Sequence, residues 1–181
     1  MFARTPRLTL RPGWPEDAPA MAQAVAHESV VTMLSSPPWP YTLGDAENFL
    51  SQPRAVTDPY CLILRHESAY PDLIGAISIT ERGGGNELGY WLTPSAWGRG
   101  YATEAGNAML DMARHALGLK RLRSSYFLDN PASGKVLSKL GFRRTGEKLL
   151  YSAARGTEAP CVTMEIDLIV EEQTPTFSLA A

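Results

Sequence analysis

One segment of the 181-residue chain, residues 92–105, combines residue types that suit anion binding. It leaves a predicted strand, passes through Gly98 and Gly100, and opens the strongest predicted helix. The first N–H groups of a helix lack partners within it, and the helix dipole adds about half a positive charge there. Glycine lets the backbone approach a ligand where a Cβ would obstruct it. The segment therefore predicts an anion cradle suited to a diphosphate, although turn geometry alone could also explain the glycines.

Two other glycine-containing segments invite comparison with phosphate loops. Residues 83–85 are three glycines followed by Asn86, with neither a helix nor a Gly-Lys-Ser/Thr after them, so they predict a hairpin turn. Gly134-Lys135 lacks the leading glycine of a P-loop, and Val136 stands where the motif needs Ser or Thr. Neither segment is expected to bind a nucleotide.

Composition excludes several other classes of function. Lys plus Arg number 17 against 19 Asp plus Glu, so the chain has no broad positive field for nucleic acid, though a local basic patch could still hold one phosphorylated ligand. The three histidines are scattered, so no metal site is expected, and Cys61 and Cys161, in apolar runs, predict buried free thiols. Without a predicted signal peptide or membrane span, the expected location is the cytoplasm.

The elements that position the cradle follow from hydrophobic periodicity and from turn residues. They predict one α/β (α+β) domain over residues 1–169, with a single mixed, mostly antiparallel sheet, helices on both faces, and a loose tail at 170–181. The proline-rich residues 35–40 predict a rigid loop. Strands are predicted at 7–11, 61–64, 73–79, 87–92, 121–127, 142–151 and 159–168, and helices from about 15 and at 42–51, 103–117 and 131–140.

Three spaced motifs resemble the GCN5-related N-acetyltransferase (GNAT) superfamily. The run Trp97-Gly98-Arg99-Gly100-Tyr101-Ala102 is similar to its acetyl-CoA loop, with Trp97 where Arg or Gln is usual. That replacement is familiar in the ribosomal-protein N-terminal (RimJ/RimL-type) branch. Residues 87–92, Glu-Leu-Gly-Tyr-Trp-Leu, and 130–142, from Asn130 to Phe142, also resemble that branch, as does the opening 5–11. The likeness spans about residues 5–168 and implies the GNAT fold.

The resemblance implies how acetyl-CoA would bind, without any metal. Backbone N–H groups of the loop and of the first helical turn would hold the diphosphate. The backbone of Leu92 would pair with the pantetheine arm as an added strand does, and an N–H near it would stabilise the oxyanion. Asn130 and Ser133 would lie across the arm near the sulfur, although Asn130 also suits a helix cap. The implied cofactor residues are Leu92, Trp97, Gly98, Arg99, Gly100, Tyr101, Ala102, Thr103, Asn130 and Ser133.

The resemblance also implies direct attack by an amine in a ternary complex. Glu87 is the predicted base, acting through a water, although it could equally be a surface carboxylate beside the glycine turn. Many relatives use a tyrosine acid where this chain has Leu137. Ser133 is therefore the predicted partner of the departing thiolate, with Tyr90 and Tyr126 in reserve.

The predicted function is transfer of acetyl from acetyl-CoA to a primary amine, of a protein N-terminus or a related small amine. Two alternatives stay open at this point. One is acetylation of an antibiotic, a polyamine or an amino-acid-like metabolite, and the other is a catalytically silent acetyl-CoA-binding module. The resemblance is also compatible with a homodimer.

Overall fold

The computed structural model describes residues 1–55, 57–67 and 70–168, so the predicted tail at 170–181 lies outside the described residues. Short 3-10 turns at Pro15–Asp17 and Pro94–Ala96 precede the first and fourth helices. In chain order the remaining elements are β1 (Ala3–Arg4), β2 (Leu8–Pro12), α1 (Ala18–Val25), α2 (Glu28–Val31), α3 (Leu43–Ser51), β3 (Tyr60–Arg65), β4 (Asp72–Arg82), β5 (Gly85–Leu92), α4 (Tyr101–His115), β6 (Arg121–Phe127), α5 (Pro131–Lys139), β7 (Arg143–Ser152) and β8 (Thr157–Asp167).

The strands form one sheet in the order β1-β2-β3-β4-β5-β6-β8-β7. Neighbours are antiparallel except β5 and β6, which α4 connects in parallel. These two strands pair at a single register position, Glu87 with Arg123, whereas β6 pairs with β8 from Arg121 to Phe127. Beyond that position β5 and β6 diverge. The sheet therefore opens at its centre, toward the carboxyl ends of both strands.

Helices cover both faces of the sheet, as predicted for the mixed α/β class. Alternating side chains of each strand point to opposite faces, so each strand supplies two cores. On one face α4 and α5 pack on the central strands, through a buried cluster that includes Ala105, Met109, Leu137, Leu88 and Leu122. On the other face α1 and α3 pack on β3 and β4, through Ala18, Met21, Ala46, Leu62 and Ala76.

Most predicted elements are confirmed, and β6 has its predicted bounds. Placing the start of the fourth helix at residue 103 is wrong: α4 begins at Tyr101, because Gly100 takes the N-cap position with φ of 81°. The helix expected from residue 15 starts as a 3-10 turn and becomes α1 only at Ala18. The short elements β1 and α2 were not predicted, since two and four residues are too few to show a periodic pattern.

Further features of the structure concern the cysteine thiols, the proline-rich loop, membrane spans and metal binding. Cys61 and Cys161 are free and buried, as predicted, and burial raises the pKa of both thiols. Residues 35–40 form neither helix nor strand, which confirms the predicted loop. Within the described ranges, the helices are too short or too polar to cross a bilayer. The same residues hold no group of three or more His, Cys, Asp or Glu side chains arranged to bind a metal ion.

Candidate active site

A cavity of about 610 Å³ lies where β5 and β6 diverge. The end of β5, the amino terminus of α4 and the first turn of α5 all contribute to its wall. Arg99 is exposed and does not line the cavity. The other predicted site residues come together here: Glu87, Leu92, Trp97, Gly98, Gly100, Tyr101, Ala102, Thr103, Asn130 and Ser133.

The β4–β5 register decides where the backbone groups of Leu92 point. Leu92 lies opposite Gly75, and the adjacent Thr93 N–H donates to the Ile74 carbonyl over 2.8 Å. This pattern marks Leu92 and Gly75 as a non-hydrogen-bonded pair, so the Leu92 N–H and C=O face away from β4, toward the gap. The Trp97 indole donates to that carbonyl over 2.8 Å. The Leu92 N–H is therefore a backbone donor that β5 presents to the gap, and Trp97 holds the following loop against the strand.

The loop before α4 has the backbone shape of an anion cradle. Gly98 and Gly100 adopt φ of 72° and 81°, in the left-handed region that favours glycine. No side chain caps α4, so the N–H groups of Tyr101, Ala102 and Thr103 keep their helix-end positions without a side-chain acceptor. A Cβ built at Gly98 would meet nothing within 4 Å, which leaves the approach open. The first turn of this 15-residue helix can thus receive an anion.

An N-terminal strap, Thr5 to Arg7, fastens the back of the cradle. Arg7 donates through Nη1 to the Arg99 carbonyl over 3.0 Å and through Nε to Glu104 Oε2 over 2.7 Å. The Thr5 hydroxyl donates to the other Glu104 oxygen over 2.6 Å. Burial alone would raise the pKa of Glu104, but these hydrogen bonds outweigh it and hold that pKa below its ordinary value. The negative charge in the first turn of α4 is therefore neutralised on the side away from the cavity.

Ser133 stands at the start of α5, directly across the gap from β5. Asn130 caps the helix by accepting from the Ser133 N–H over 3.2 Å, which confirms the expected cap. The hydroxyl of Tyr90 lies 2.7 Å from Ser133 Oγ and 3.1 Å from the Ser133 carbonyl oxygen. The sequence identifies Tyr90 only as a reserve candidate and gives no sign that it contacts Ser133. The structure brings the two hydroxyls together at the wall of the cavity.

Of the side chains considered as the acid, the two tyrosines carry a hydroxyl proton and Leu137 does not. Burial raises the pKa of Tyr90 to about 12, against the opposing effect of its hydrogen bond to Ser133. Tyr90 is thus a neutral hydrogen-bond donor at physiological pH. Leu137 is fully buried in the core beneath α5 and has no proton to give. Tyr126 also lines the cavity and lies against α5, since a Cβ added at Gly134 would come 2.7 Å from its hydroxyl oxygen.

Glu87 lies on β5 at the point where the two strands separate. It is partly buried, and its Oε1 accepts a hydrogen bond from Ser125 Oγ on β6 over 3.0 Å. Within the described part of the chain it is the sole carboxylate that lines the cavity. A base here has a polar partner, and a second carboxylate oxygen remains for a water or an amine.

Two lysines in the wall were missed by sequence analysis. Lys135 and Lys139, one turn apart on α5, line the cavity on the same face of the sheet as α4. Their spacing of four on a predicted helix was a readable signal, since such residues share a helix face. The Arg7–Glu104 pair was also missed. The one signal for it was an acid in the first turn of α4, beside a predicted anion site, where a nearby cation would be needed to offset the charge.

Comparison with known proteins agrees with this arrangement. Residues 7–143 match the family described as the acetyltransferase (GNAT) domain. The uncharacterized N-acetyltransferase YoaA of Bacillus subtilis (strain 168) is 34% identical over 48% of this chain, and the match spans only half of that relative's own length. The uncharacterized N-acetyltransferase p20 of Bacillus licheniformis is 26% identical over 84% of this chain and 88% of its own.

Solved structures share the fold at low sequence identity. A GNAT-family acetyltransferase from Bacillus anthracis superposes with a TM-score of 0.79 and 22% identity, over 93% of this chain and 99% of that one. The ribosomal-protein-S5-alanine acetyltransferase of Vibrio fischeri gives 0.76 and 20%, over 92% and 96%. RimL, a ribosomal L7/L12 α-N-protein acetyltransferase in complex with coenzyme A, gives 0.76 and 17%, over 92% and 98%.

The family match extends over most of the chain and includes the cradle, β5 and α5, which are the elements that build the cavity. The chain belongs to the GNAT acetyltransferase family, and its open sheet is the scaffold of an N-acetyltransferase.

Proposed function

We propose that this acetyltransferase transfers acetyl from acetyl-coenzyme A to a primary α-amine, that of a protein N-terminus or of a related small molecule. The observation that carries the proposal is one continuous cavity that joins the α4 cradle, the gap between β5 and β6, and Glu87. A cofactor held at one end and an amine admitted at the other would meet in the gap.

The residues present fit the coenzyme. The cradle provides free helix-end N–H groups and two glycines, and Glu104, whose charge would repel a phosphate, is turned away and paired with Arg7. Lys135 and Lys139 add positive charge to the same wall. The Leu92 N–H faces the gap, where an extended pantetheine arm would add to the strand edge. When bound, the coenzyme supplies an acetyl group activated as a thioester.

Three groups of the chain would then handle charge and protons. Glu87, through a water, takes the proton that the amine nitrogen loses as its new bond to the acetyl carbon forms. The Leu92 N–H donates to the developing oxyanion. Ser133 donates a hydrogen bond to the thiolate as the carbon–sulfur bond breaks, and Tyr90, protonated at neutral pH, supports that hydroxyl. This assignment requires no strong acid in the place of Leu137.

An α-amine suits a site that has no strong acid and only a carboxylate as base. With a pKa near 7.8, about one-seventh of an α-amine is neutral at pH 7, against about one part in 2,500 for a lysine side chain near 10.4. The difference is worth about 3.5 kcal/mol. The names of the Vibrio fischeri protein and of RimL, which specify alanine and α-N-protein acetylation, point the same way.

The test is thiol release from acetyl-CoA by purified protein, measured with a panel of N-terminal peptides, free amino acids, polyamines and lysine analogues. We expect turnover with α-amines above the others at neutral pH. Gly100→Glu adds a negative charge to the cradle and strains a position whose φ of 81° favours glycine, so it should abolish coenzyme A binding in calorimetry. Glu87→Gln should lower kcat about a hundredfold while coenzyme A affinity stays unchanged.

Each of the three assignments can be contradicted separately. Coenzyme A binding retained by a folded Gly100→Glu variant would remove the cradle assignment. A wild-type rate in Glu87→Gln across the pH range would show that another base, or none, acts. A preference for lysine analogues would overturn the α-amine assignment.

A further inference from the structure

The cavity reaches the face of the sheet opposite α4 and α5. On β4, Ile77 and Ile79 pack in the core beneath α4, so the alternate residues Ser78, Thr80 and Arg82 point to the opposite face. All three line the cavity. If the coenzyme occupies the α4 side and the gap, the part of the cavity above Ser78, Thr80 and Arg82 remains for the acceptor.

The acceptor half of the cavity has its own side chains. Residues of β4, of β5 and of the segment around α2 form it, and most of them are neutral. Its charged members, within the described part of the chain, are Arg82 and Glu87. The neutral polar members are Ser29, Ser35, Ser78 and Thr80, and Met33, Leu34 and Trp91 add apolar surface.

Arg82 and Glu87 are close neighbours that do not form an ion pair. Glu87 lies directly opposite Thr80 in the β4–β5 ladder, and Arg82 is two residues further along the same face. Diagonal positions of this kind are about 7–8 Å apart. The described residues provide no carboxylate within 4 Å of Arg82, whose hydrogen bond runs to Ser36 Oγ at 3.4 Å. Glu87 bonds Ser125 instead. The site thus presents one carboxylate and one guanidinium, and each can still form hydrogen bonds with a ligand.

We infer that the acceptor is a primary amine that carries a carboxylate a few bonds away, and that Arg82 binds this carboxylate while Glu87 receives the amine. The inference rests on the proposed function and adds the class of acceptor. Arg82 is suited to the task because its guanidinium can bond both oxygens of a carboxylate at once. The carboxylate could belong to a small amino-acid-like molecule or to an acidic side chain near a peptide N-terminus.

The test compares two pairs of acceptors that differ only in that charge: alanyl-glycine with alanyl-glycinamide, and alanyl-glutamate amide with alanyl-glutamine amide. We expect the wild-type protein to prefer the charged member of at least one pair about tenfold or more in kcat/KM. The pair that shows the preference identifies the source, a free terminal carboxylate or an acidic side chain.

Variants then assign the preference to one residue. Arg82→Gln should remove it, mainly through a higher KM for the charged acceptor, with coenzyme A affinity unchanged, and Arg82→Lys should restore part of it. Arg123→Gln is the matched control, because Arg123 is a nearby arginine on β6 that does not line the cavity. It should keep the full preference.

Two results overturn the inference and leave the proposed function intact: equal rates within both pairs, or a preference that survives in Arg82→Gln. A wild-type protein that binds coenzyme A but acetylates no member of either pair, nor any α-amine of the wider panel, would overturn both. The two failures are therefore distinguishable.

Discussion

In the proposed mechanism, Ser133 and Tyr90 stabilise the thiolate without a dedicated acid. Ser133 is fixed by the cap that Asn130 makes at the start of α5, and Tyr90 reaches it from β5 across the gap. A serine hydroxyl is a weak acid, but a hydrogen bond to a thiolate needs no full proton transfer. Because burial raises the pKa of Tyr90 to about 12, its phenol stays a donor over the working pH range.

At this scale we predict that Ser133→Ala lowers kcat at least about tenfold, because the leaving thiolate loses its donor. Coenzyme A affinity should change little, since the proposed diphosphate contacts lie at α4. Steady-state rates and calorimetry measure the two effects. Ser138→Ala is the control on the same helix, as its hydroxyl only donates to the Gly134 carbonyl over 2.9 Å. An unchanged kcat in Ser133→Ala would exclude this role.

At the scale of elements, α4 depends on the strap for the shape of its amino terminus. An acid in the first turn stabilises a helix through the dipole, yet it also opposes a bound phosphate. The Arg7–Glu104 ion pair, at 2.6 Å, keeps the carboxylate at the end of the helix and offsets its repulsion of a phosphate. Arg7 also stacks over the Tyr101 ring, 4.5 Å from its centroid, and holds the Arg99 carbonyl. The loop between β5 and α4 is thus held from behind by a segment that does not line the cavity.

We predict that Arg7→Gln weakens coenzyme A binding about tenfold, because it frees the Arg99 carbonyl and uncovers the Glu104 charge beside the cradle. Arg11→Gln is a matched control: it breaks an ion pair of similar length, 2.7 Å to Asp17, on the other side of β2 and away from α4. Calorimetry on both variants measures the affinities. Equal losses in the two would indicate a general effect on stability instead of a role in positioning the cradle.

At the scale of the whole molecule, one ligand is expected to join elements that are far apart in the sequence. The cavity wall combines β5, the start of α4, β6 and α5, and the two halves of the sheet meet along β5 and β6 at a single paired position. Direct strand pairing holds this seam less tightly than the rest of the sheet. A coenzyme in the gap would replace the missing ladder and tie the halves together.

We predict that coenzyme A at about a hundred times its Kd adds about 2.7 kcal/mol to the free energy of unfolding. For a chain of this size that corresponds to a rise in Tm of about 5–10 °C, measurable by scanning calorimetry. Gly100→Glu should abolish the rise, which is measured against the free variant because a side chain at φ of 81° also lowers its own Tm. A ligand-independent Tm in the wild-type protein would contradict the proposed site.

Local features of the fold could be predicted because they depend on residues near one another in the chain. The bounds of β6, the cap at Asn130 and the cradle at Gly98 and Gly100 all follow from periodicity, capping preference and glycine placement. An anion site was predictable in the same way, since the glycine loop and its helix are contiguous, whereas acetyl-CoA as its occupant was implied by the resemblance to the GNAT superfamily. Elements of two or four residues, β1 and α2, carry no such local signal.

By itself, then, the sequence determined the glycine loop that leads into α4, most of the elements around it and the resemblance that indicates acetyl transfer. Only the tertiary structure decided that β5 and β6 part after one pair, that Arg7 meets Glu104 across 97 positions, and that Tyr90 meets Ser133 across 43. It also placed Arg82 beside Glu87 in the acceptor half. The physical reason is that backbone preferences act over a few residues, whereas strand order and side-chain partnership depend on how the whole core packs.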